Sequence, residues 1–439
     1  MSTPLCDFLK GYAEGDAARF HMPGHKGKPL LGPEPLDITE FDGADDLFHP
    51  HGVIAQSERE ASRLFGCPTF YSTQGCSLAI HAMLALAVGR RGTVIAARNA
   101  HKSFLGAAIL LDLDVRWLHL HPGDAYCACT VTPEDVERAF AQAGEKPAAL
   151  YLTSPDYLGH MADVASLAEV CHRHGALLLV DNAHGAYLRF LTPSRHPSDL
   201  GADLVCDSAH KTLPVLTGGA YLHLSGRATA LEPRVKPTMA LFGSTSPSYL
   251  ILASLDAANA WLASAPRRLA DFLPRVRRLR DALARAGYTP IGDEPMKLTL
   301  CPKARGMTGD ELAEALMAQG IVCEFHDPDF LVLMPTPQNT QEELDRLRDA
   351  LLALPAREPI HTPFPSYALT KSVMRPAEAW FAPSEVLAPE AAVGRVLAEA
   401  SVGCPPAVPL VMSGEIVTAD QAQAMRYYGI HACRVVQNG

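Results

Sequence analysis

The stretches ALLLVDNAHG (residues 176–185) and ADLVCDSAHKTL (residues 202–213) each begin as a short apolar run and end in polar residues. Three further segments have the same form, with helix-compatible stretches between them: PTFYST (68–73), GTVIAARN (92–99) and PAALYLTSP (147–155). This alternation predicts βαβ units with a mainly parallel sheet, and therefore an α/β fold.

Each predicted strand is followed by polar side chains. These residues are Ser72, Asn99, Ser154, Asp181 and Ser208. In an open parallel sheet, ligands bind in the crevice outside the carboxyl ends of the strands. We therefore expect the reactive residues of this chain to lie at those ends.

Length and composition narrow the class of protein. At roughly 150 residues per domain, 439 residues predict about three domains. A formal net charge of −10 gives no reason to expect nucleic acid or a membrane as a partner, and suits a cationic small molecule. Eleven cysteines, an odd number, fit a reducing compartment, and we find neither a signal peptide nor a long apolar run. We expect a soluble, cytoplasmic protein.

Lys211, in SAHKTL, is the first candidate for chemistry. A lysine is usually a solvated cation, but one placed among apolar residues at a strand end has a lowered pKa and becomes a better nucleophile. Asp181 ends the neighbouring apolar run in the same way. A buried carboxylate needs a cationic partner, and the protonated ring nitrogen of pyridoxal phosphate (PLP) is one. Lys211 could then hold the aldehyde of PLP as a Schiff base.

A phosphate group needs backbone N–H groups at a helix N-terminus. The string YSTQGCSLAIHAML supplies a strand, a turn at Gly75, then Cys76 and Ser77 before a helical run. A simple helix cap is the alternative for Ser77, and both roles are compatible. Ser208 and His210, beside Lys211, are further candidates for phosphate contacts.

His101, in ARNAHKS, follows another predicted strand. A single histidine is more often structural or solvated, but its flat imidazole at the rim of this crevice could stack on a pyridine ring. We include it as a candidate for that role.

Together these motifs resemble the Orn/Lys/Arg decarboxylase family of fold type I PLP enzymes, in a short form without the N-terminal wing domain. The resemblance runs nearly from end to end. It rests on HMPGHKG (21–27), DITEFDGADDLFHPHGVI (37–54), STQGCS, RNAHKS, TSPDYLGHMAD, DNAHGAYLRF, SAHKTLPVLTGGAYLH, STSPSY (244–249) and PPAVPLVMSGE (405–415).

The resemblance implies a role for each matching residue. Lys211 would be the Schiff-base lysine, Asp181 the partner of the pyridinium nitrogen, and His101 the residue stacked on the ring. His184 would lie near the ring oxygen of PLP or the substrate carboxylate. The implied phosphate contacts come from Gly75, Cys76, Ser77, Ser208 and His210, and from Ser244 and Thr245 across the interface of a homodimer or higher homo-oligomer.

The implied reaction is decarboxylation of a basic amino acid, with arginine expected first, then lysine, then ornithine. Glu415 is the preferred candidate for the carboxylate that meets the substrate's distal cation, with Asp156 and Glu40 behind it. An ordinary surface acid is an equally good interpretation of Glu415. The alternatives are a PLP-dependent lyase or aminotransferase acting on another amino acid, and a non-catalytic homologue.

The chain departs from the family pattern at several positions. Cys76 replaces a common Thr, Asn182 a common Glu and Asp156 a common Thr, and the string CPPAVP lacks the usual Tyr and Gly–Ile pair. These departures bear on substrate identity more than on cofactor use. We expect no metal, because neither Cys171 with His172 and His174 nor Cys127 with Cys129 has a matching second ligand pair.

Three domains are predicted: an N-terminal arm with a large PLP-binding domain (1–265), a small α/β domain (266–357) and a C-terminal domain (358–439). The segment from 264 to 285 has apolar residues at helical spacing and seven arginines, which predicts an amphipathic helix with a solvated basic face. The small domain is predicted from PMKLTLCP, TGDELAEALMAQG and FLVLMPTP, and a Pro-rich linker follows it.

Overall fold

All five apolar segments predicted as strands form strands in the structure, a computed structural model that describes residues 2–119, 121, 124–128, 130–365, 370–404 and 408–438. The strands are β1 (Thr69–Ser72), β2 (Thr93–Ala96), β3 (Asp114–Trp117), β4 (Ala149–Thr153), β5 (Leu177–Asp181), β6 (Leu204–Asp207), β7 (Ala220–Leu224), β8 (Thr289–Ile291), β9 (Leu298–Cys301), β10 (Phe325–His326), β11 (Leu331–Leu333), β12 (Ser384–Leu387), β13 (Ser401–Cys404), β14 (Val408–Met412) and β15 (Cys433–Val436). The helices are α1 (Pro4–Glu14), α2 (Val53–Phe65), α3 (Gly75–Ala87), α4 (Lys102–Leu110), α5 (Pro133–Gln142), α6 (Val164–Arg173), α7 (Ala209–Thr212), α8 (Glu232–Ala240), α9 (Tyr249–Leu262), α10 (Ala265–Arg285), α11 (Gly309–Met317), α12 (Gln341–Ala353), α13 (Pro376–Phe381) and α14 (Ala419–Tyr427).

The chain forms two compact units. The first combines Met1–Gly89 with Val164–Arg267, and the second combines Arg90–Asp163 with Arg268–Gly439. Each unit is therefore built from two separate stretches of sequence. The division into three consecutive domains stays a prediction.

In the first unit the strands lie in the order β1, β7, β6, β5. Strands β5 and β6 are parallel, whereas β7 is antiparallel to both β6 and β1. The sequence analysis did not predict this reversed strand. A parallel connection needs a crossover of about a dozen residues, usually a helix that carries the chain back along the sheet. The connection from β6 to β7 contains only the four-residue helix α7, which is too short to carry the chain back along the sheet, so β7 runs antiparallel to β6.

In the second unit, β2 lies between β4 and β3 and is parallel to both. A separate antiparallel sheet has the order β10, β11, β9, β8, and two further antiparallel pairs join β12 to β15 and β13 to β14. The segments predicted as strands and helix in the small domain form β9, α11 and β11. The mainly parallel α/β fold is confirmed.

Helix α10 confirms the amphipathic helix predicted between residues 264 and 285. Its apolar stripe is buried, at Leu269, Phe272, Val276, Leu279 and Leu283. Within the described ranges, no helix is both long enough and apolar enough to cross a membrane.

Candidate active site

The carboxyl ends of three strands in the first unit lie at the same edge of the sheet. Since β7 is antiparallel to both of its neighbours, β1 runs in the same direction as β5 and β6. The last residues of these strands are Ser72, Asp181 and Asp207, and Ser208 follows immediately. The fold therefore groups the predicted phosphate turn, Asp181 and the segment carrying Lys211.

Lys211 lies half-buried in α7, with its Nζ 3.0 Å from Nε2 of His184. His184 is buried, in the turn that follows β5. Backbone hydrogen bonds hold that turn: the Asn182 N–H donates to the Cys206 carbonyl over 2.9 Å, and the Gly185 N–H donates to the Asn182 carbonyl over 2.8 Å. A neutral imidazole accepts through Nε2, so the ammonium of Lys211 can donate to His184.

Asp181 ends β5 and is only 2% exposed. Its Oδ1 accepts the Ala183 N–H over 3.2 Å and the thiol of Cys206 over 3.6 Å. The sulfur of Cys76 belongs to the same cluster, in which the three ligand atoms lie within 4.8 Å of one another. Burial raises the pKa of the Cys206 thiol well above its ordinary value, and the neighbouring Cys76 and Asp181 raise it further. Cys206 therefore stays a neutral S–H donor to Asp181.

The phosphate turn predicted at residues 75–77 begins helix α3. Gly75 has φ +68°, a left-handed conformation that suits glycine, and its N–H donates to the Gly218 carbonyl over 2.7 Å. A Cβ at Gly218 would lie 3.0 Å from the Thr73 carbonyl oxygen, so glycine permits this close approach of the two loops. The side chain of the N-cap residue Gln74 makes no capping hydrogen bond, and Ser77 is exposed in the first turn of α3. The first N–H groups of α3 thus remain suited to an anionic group.

Ser208 and His210 flank the segment with Lys211. Ser208 is buried at the start of α7 and makes no capping hydrogen bond with its side chain. His210 Nδ1 lies 3.0 Å from the carbonyl oxygen of Gly219, which also accepts the His210 N–H. This contact orients the His210 ring.

The other predicted residues of the first unit lie on loops. Ser244 and Thr245 are exposed between α8 and α9, where the Ser244 hydroxyl accepts the Ser246 N–H over 3.2 Å. Glu40 is half-buried and accepts the Thr39 hydroxyl over 2.5 Å.

In the second unit, His101 is the N-cap of α4. Its Nδ1 accepts the Ser103 N–H over 3.2 Å and lies 2.9 Å from the Ser103 hydroxyl. Because Nδ1 accepts a hydrogen bond, a neutral His101 carries its proton on Nε2. The capping contact therefore sets both the position and the tautomer of the ring.

Asp156, a predicted contact of the substrate, is paired with a histidine. Asp156 is 3% exposed, and both of its carboxylate oxygens are bonded to His160: Oδ1 accepts the His160 N–H and Oδ2 lies 2.8 Å from Nδ1. This hydrogen bond raises the pKa of His160. Each oxygen of Asp156 therefore already has a hydrogen-bond partner in His160, and its contact with the substrate stays a prediction.

The structure corrects one interpretation of Glu415, that of an ordinary surface acid. Glu415 is 1% exposed and forms a two-bond ion pair with Arg98, and its contact with the substrate stays a prediction. The Arg98 guanidinium donates to Oε1 over 2.6 Å and to Oε2 over 3.0 Å, and the Met412 N–H also donates to Oε2. Glu415 therefore holds the last segment of the chain to the residues after β2.

We expect Glu415→Gln to lower the free energy of unfolding by about 3–5 kcal/mol, because it leaves the Arg98 charge buried without its counter-ion. The double variant Arg98→Met with Glu415→Leu should be less destabilised, since it buries no charge. Urea titration of the parent, the single variant and the double variant measures the free energy of unfolding of each. A single variant as stable as the parent would contradict the assignment of a buried ion pair.

Sequence reasoning missed a second polar cluster in the first unit, centred on Asp207. Its carboxylate lies 3.0 Å from Nε2 of His196 and 3.0 Å from Nε2 of His223, and accepts a hydrogen bond from Asn182 over 2.6 Å. All four side chains are completely buried. The available signals were an acid at the end of the apolar segment VCD and a histidine inside the following apolar segment AYLHL.

The prediction of no metal site was argued from Cys171, His172, His174, Cys127 and Cys129, none of which belongs to the groups of possible metal ligands in the described part of the structure. Among the described residues, the groups with three possible ligand atoms within 4.8 Å are Cys76 with Asp181 and Cys206, and His196 with Asp207 and His223. Nε2 of His172 lies 2.8 Å from Oδ2 of Asp203. Cys129 lies outside the described residues. Residues 405–407 of the CPPAVP string also lie outside them.

The donor set of the first unit fits PLP. A half-buried lysine amine, a buried carboxylate and a helix N-terminus without a side-chain cap are the groups needed for its aldehyde, ring nitrogen and phosphate.

Comparison with solved structures supports the same class. The Francisella novicida lysine decarboxylase LdcF superposes with a TM-score of 0.83, covering 99% of this chain and 81% of that chain at 17% identity. At this identity the likeness concerns the fold. The fold and the donor set define a PLP-dependent enzyme of fold type I.

The sequence comparisons identify the family. The family model for the major domain of Orn/Lys/Arg decarboxylases matches residues 3–291. The uncharacterized protein YaaO of Bacillus subtilis is 31% identical over 97% of this chain and 94% of its own length. Arginine decarboxylase of the same organism is also 31% identical, over 95% of this chain and 92% of its own length. The chain belongs to the Orn/Lys/Arg decarboxylase family and is a PLP-dependent amino-acid decarboxylase.

Proposed function

We propose that this enzyme decarboxylates arginine to agmatine and CO2, with lysine as the second and ornithine as the third preference. The observation that carries the proposal is the 3.0 Å contact between Lys211 and His184, at the strand edge where Asp181 ends β5. The relatives named arginine decarboxylase support the choice of substrate.

The residues that would hold PLP are those of the predicted site. Lys211 would bind its aldehyde, Asp181 would pair with its ring nitrogen, and His101 would stack on its ring. The phosphate contacts would come from Gly75, Cys76, Ser77, Ser208 and His210. When bound, PLP withdraws the electrons left on the α-carbon as CO2 departs.

The chain's own contribution is to place charge and to move one proton. The Asp181 carboxylate stabilises a positive charge opposite it, because it is negative and buried. After CO2 leaves, the α-carbon needs a proton. The Lys211 amine and His184 Nε2 share a hydrogen bond, so Lys211 can deliver the proton while His184 orients the amine.

Glu40 is the acid we assign to the substrate's distal cation. We prefer it to Asp156 and Glu415, because each of those carboxylates already has a partner side chain, His160 and Arg98 respectively. Glu40 is only half-buried and, in the part of the chain that the structure describes, has no cationic partner. Its Oε1 and Oε2 can accept two N–H groups of a guanidinium, which favours arginine over lysine.

We further propose a cytoplasmic homodimer or higher homo-oligomer with shared active sites. Ser244 and Thr245 are exposed, as required of residues that contact the phosphate site of a neighbouring subunit.

The substrate proposal is tested by incubating the purified enzyme and PLP separately with arginine, lysine and ornithine. We expect the highest kcat/KM for arginine, with agmatine as product. A higher value for lysine or ornithine would refute the choice of arginine. A keto-acid product would indicate the aminotransferase alternative, and no product from any of the three a non-catalytic homologue.

A further inference from the structure

Asp207 is a buried carboxylate surrounded by nitrogen atoms. Oδ2 lies 3.0 Å from Nε2 of His196 and 3.0 Å from Nε2 of His223, while Oδ1 accepts the Asn182 amide over 2.6 Å. Burial alone would raise the pKa of Asp207, but the two histidines outweigh burial and hold this pKa well below its usual range. Asp207 is therefore ionised inside the protein.

Both histidines are fixed from their other side. His196 Nδ1 lies 2.7 Å from the Ser198 hydroxyl and accepts the Ser198 N–H, so its Nε2 carries a proton that is donated to Asp207. His223 Nδ1 lies 2.9 Å from the Thr69 hydroxyl. The orientation of the Asp207 carboxylate is thus determined by rigid elements: Thr69 lies in β1 and His223 in β7.

Asp207 connects this rigid cluster to both loops of the active site. Along the chain it is followed by Ser208 and by helix α7 with Lys211. Across the sheet it holds Asn182, the first residue of the turn that carries His184. Asn182 packs tightly in this turn, since a Cβ on Gly185 would lie 1.9 Å from its Oδ1. A shift of Asn182 would therefore move His184.

Asn182 is held in the cluster although one of its two amide atoms makes no hydrogen bond there. The Oδ1 atom of Asn182 is buried and has no hydrogen-bond partner among the described residues. An unsatisfied buried acceptor is destabilising, because it has lost its hydrogen bond to water. The short bond from its Nδ2 to the charged Asp207 offsets this cost and fixes the amide in one orientation.

We propose that Asp207 is a positioning residue, which acts through Asn182 and the turn at 182–185 to hold His184 against the amine of Lys211. This inference rests on the proposed role of Lys211. In this role Asp207 acts through Asn182 and not directly on the substrate or the cofactor.

The same strand offers a matched control. Asp203 lies next to the opposite end of β6, is also completely buried, and pairs with a histidine: its Oδ2 lies 2.8 Å from Nε2 of His172. It also accepts the Leu178 and Arg227 N–H groups. Asp203→Asn therefore removes a buried, histidine-paired charge beside β6 without touching the loops of the active site.

The test compares Asp207→Asn, Asn182→Ala and Asp203→Asn as holoenzymes. We expect the two aspartate variants to lose thermal stability. Asp207→Asn and Asn182→Ala should lower kcat about tenfold or more with little change in KM, because a misplaced proton donor slows the reaction rather than binding. They should also shift the pH midpoint of the bound cofactor's absorbance by about half a unit or more. Asp203→Asn should change neither kcat nor the pH midpoint of the absorbance.

The double variant of Asp207 and Asn182 should be no slower than the slower single variant, because both changes break the same link. Equal effects of Asp207→Asn and Asp203→Asn on the absorbance midpoint would overturn the proposal, as would an unchanged midpoint in Asn182→Ala. The absorbance titration needs no substrate. It therefore separates failure of this inference from failure of the arginine assignment, and Asn182→Ala keeps the test valid if Asp207→Asn does not fold.

Discussion

Lys211→Ala is expected to abolish covalent attachment of PLP and to reduce decarboxylation by at least about a thousandfold. The variant removes the amine that lies 3.0 Å from His184, and with it both the nucleophile for the aldehyde and the proposed proton donor. Loss of a covalent intermediate and of a positioned acid together accounts for an effect of this size.

The measurement is borohydride reduction of the holoenzyme followed by peptide mass spectrometry. The parent enzyme should carry the cofactor's mass on the peptide with Lys211. Lys211→Arg is the control, because it keeps the positive charge but offers no free amine. Cofactor fixed to another lysine in the parent enzyme would contradict the assignment.

Asp181→Asn is expected to lower kcat by about a hundredfold or more, which corresponds to about 2.7 kcal/mol of transition-state stabilisation. Asparagine has nearly the same shape and its oxygen can still accept the Ala183 N–H and the Cys206 thiol. The variant therefore loses the negative charge while the contacts around it are kept. Without that charge, a proton on the ring nitrogen of the cofactor is no longer favoured.

Steady-state kinetics with saturating PLP measures this effect, and the cofactor content of each protein is determined in parallel. Asp203→Asn again serves as the control for loss of a buried charge in the same sheet. A kcat within about threefold of the parent value would show that Asp181 does not supply the charge.

The sequence predicted β1, β2, β4, β5 and β6, and it placed Asp181 and Lys211 at strand ends, because both depend on local patterns. An apolar run ending in a polar residue marks a strand and its carboxyl end, whatever the rest of the chain does. The roles of His101, Ser244 and Thr245 stay predictions, since they came from the family resemblance.

The hydrogen-bond partners of Glu415, Asp156 and Asp207 could not be predicted from the sequence. Glu415 pairs with Arg98 across 317 positions of sequence, and no local pattern indicates such a partner. The partner of Asp156, His160, is only four residues away in the sequence. The pairing still could not be predicted, because it depends on the conformation of the turn between them. The Asp207 cluster needs β7 to run antiparallel to β6, which brings His223 beside it, and the sequence analysis did not predict that strand.

The central claim is that this site releases the α-carboxylate of arginine as CO2 and leaves the amine. The most direct measurement follows arginine labelled with ¹³C in its carboxylate, quantifying labelled CO2 and agmatine in the same reaction. We predict equimolar CO2 and agmatine from the parent enzyme and neither product from Lys211→Ala. Formation of a keto acid, or label retained in the products, would contradict the claim.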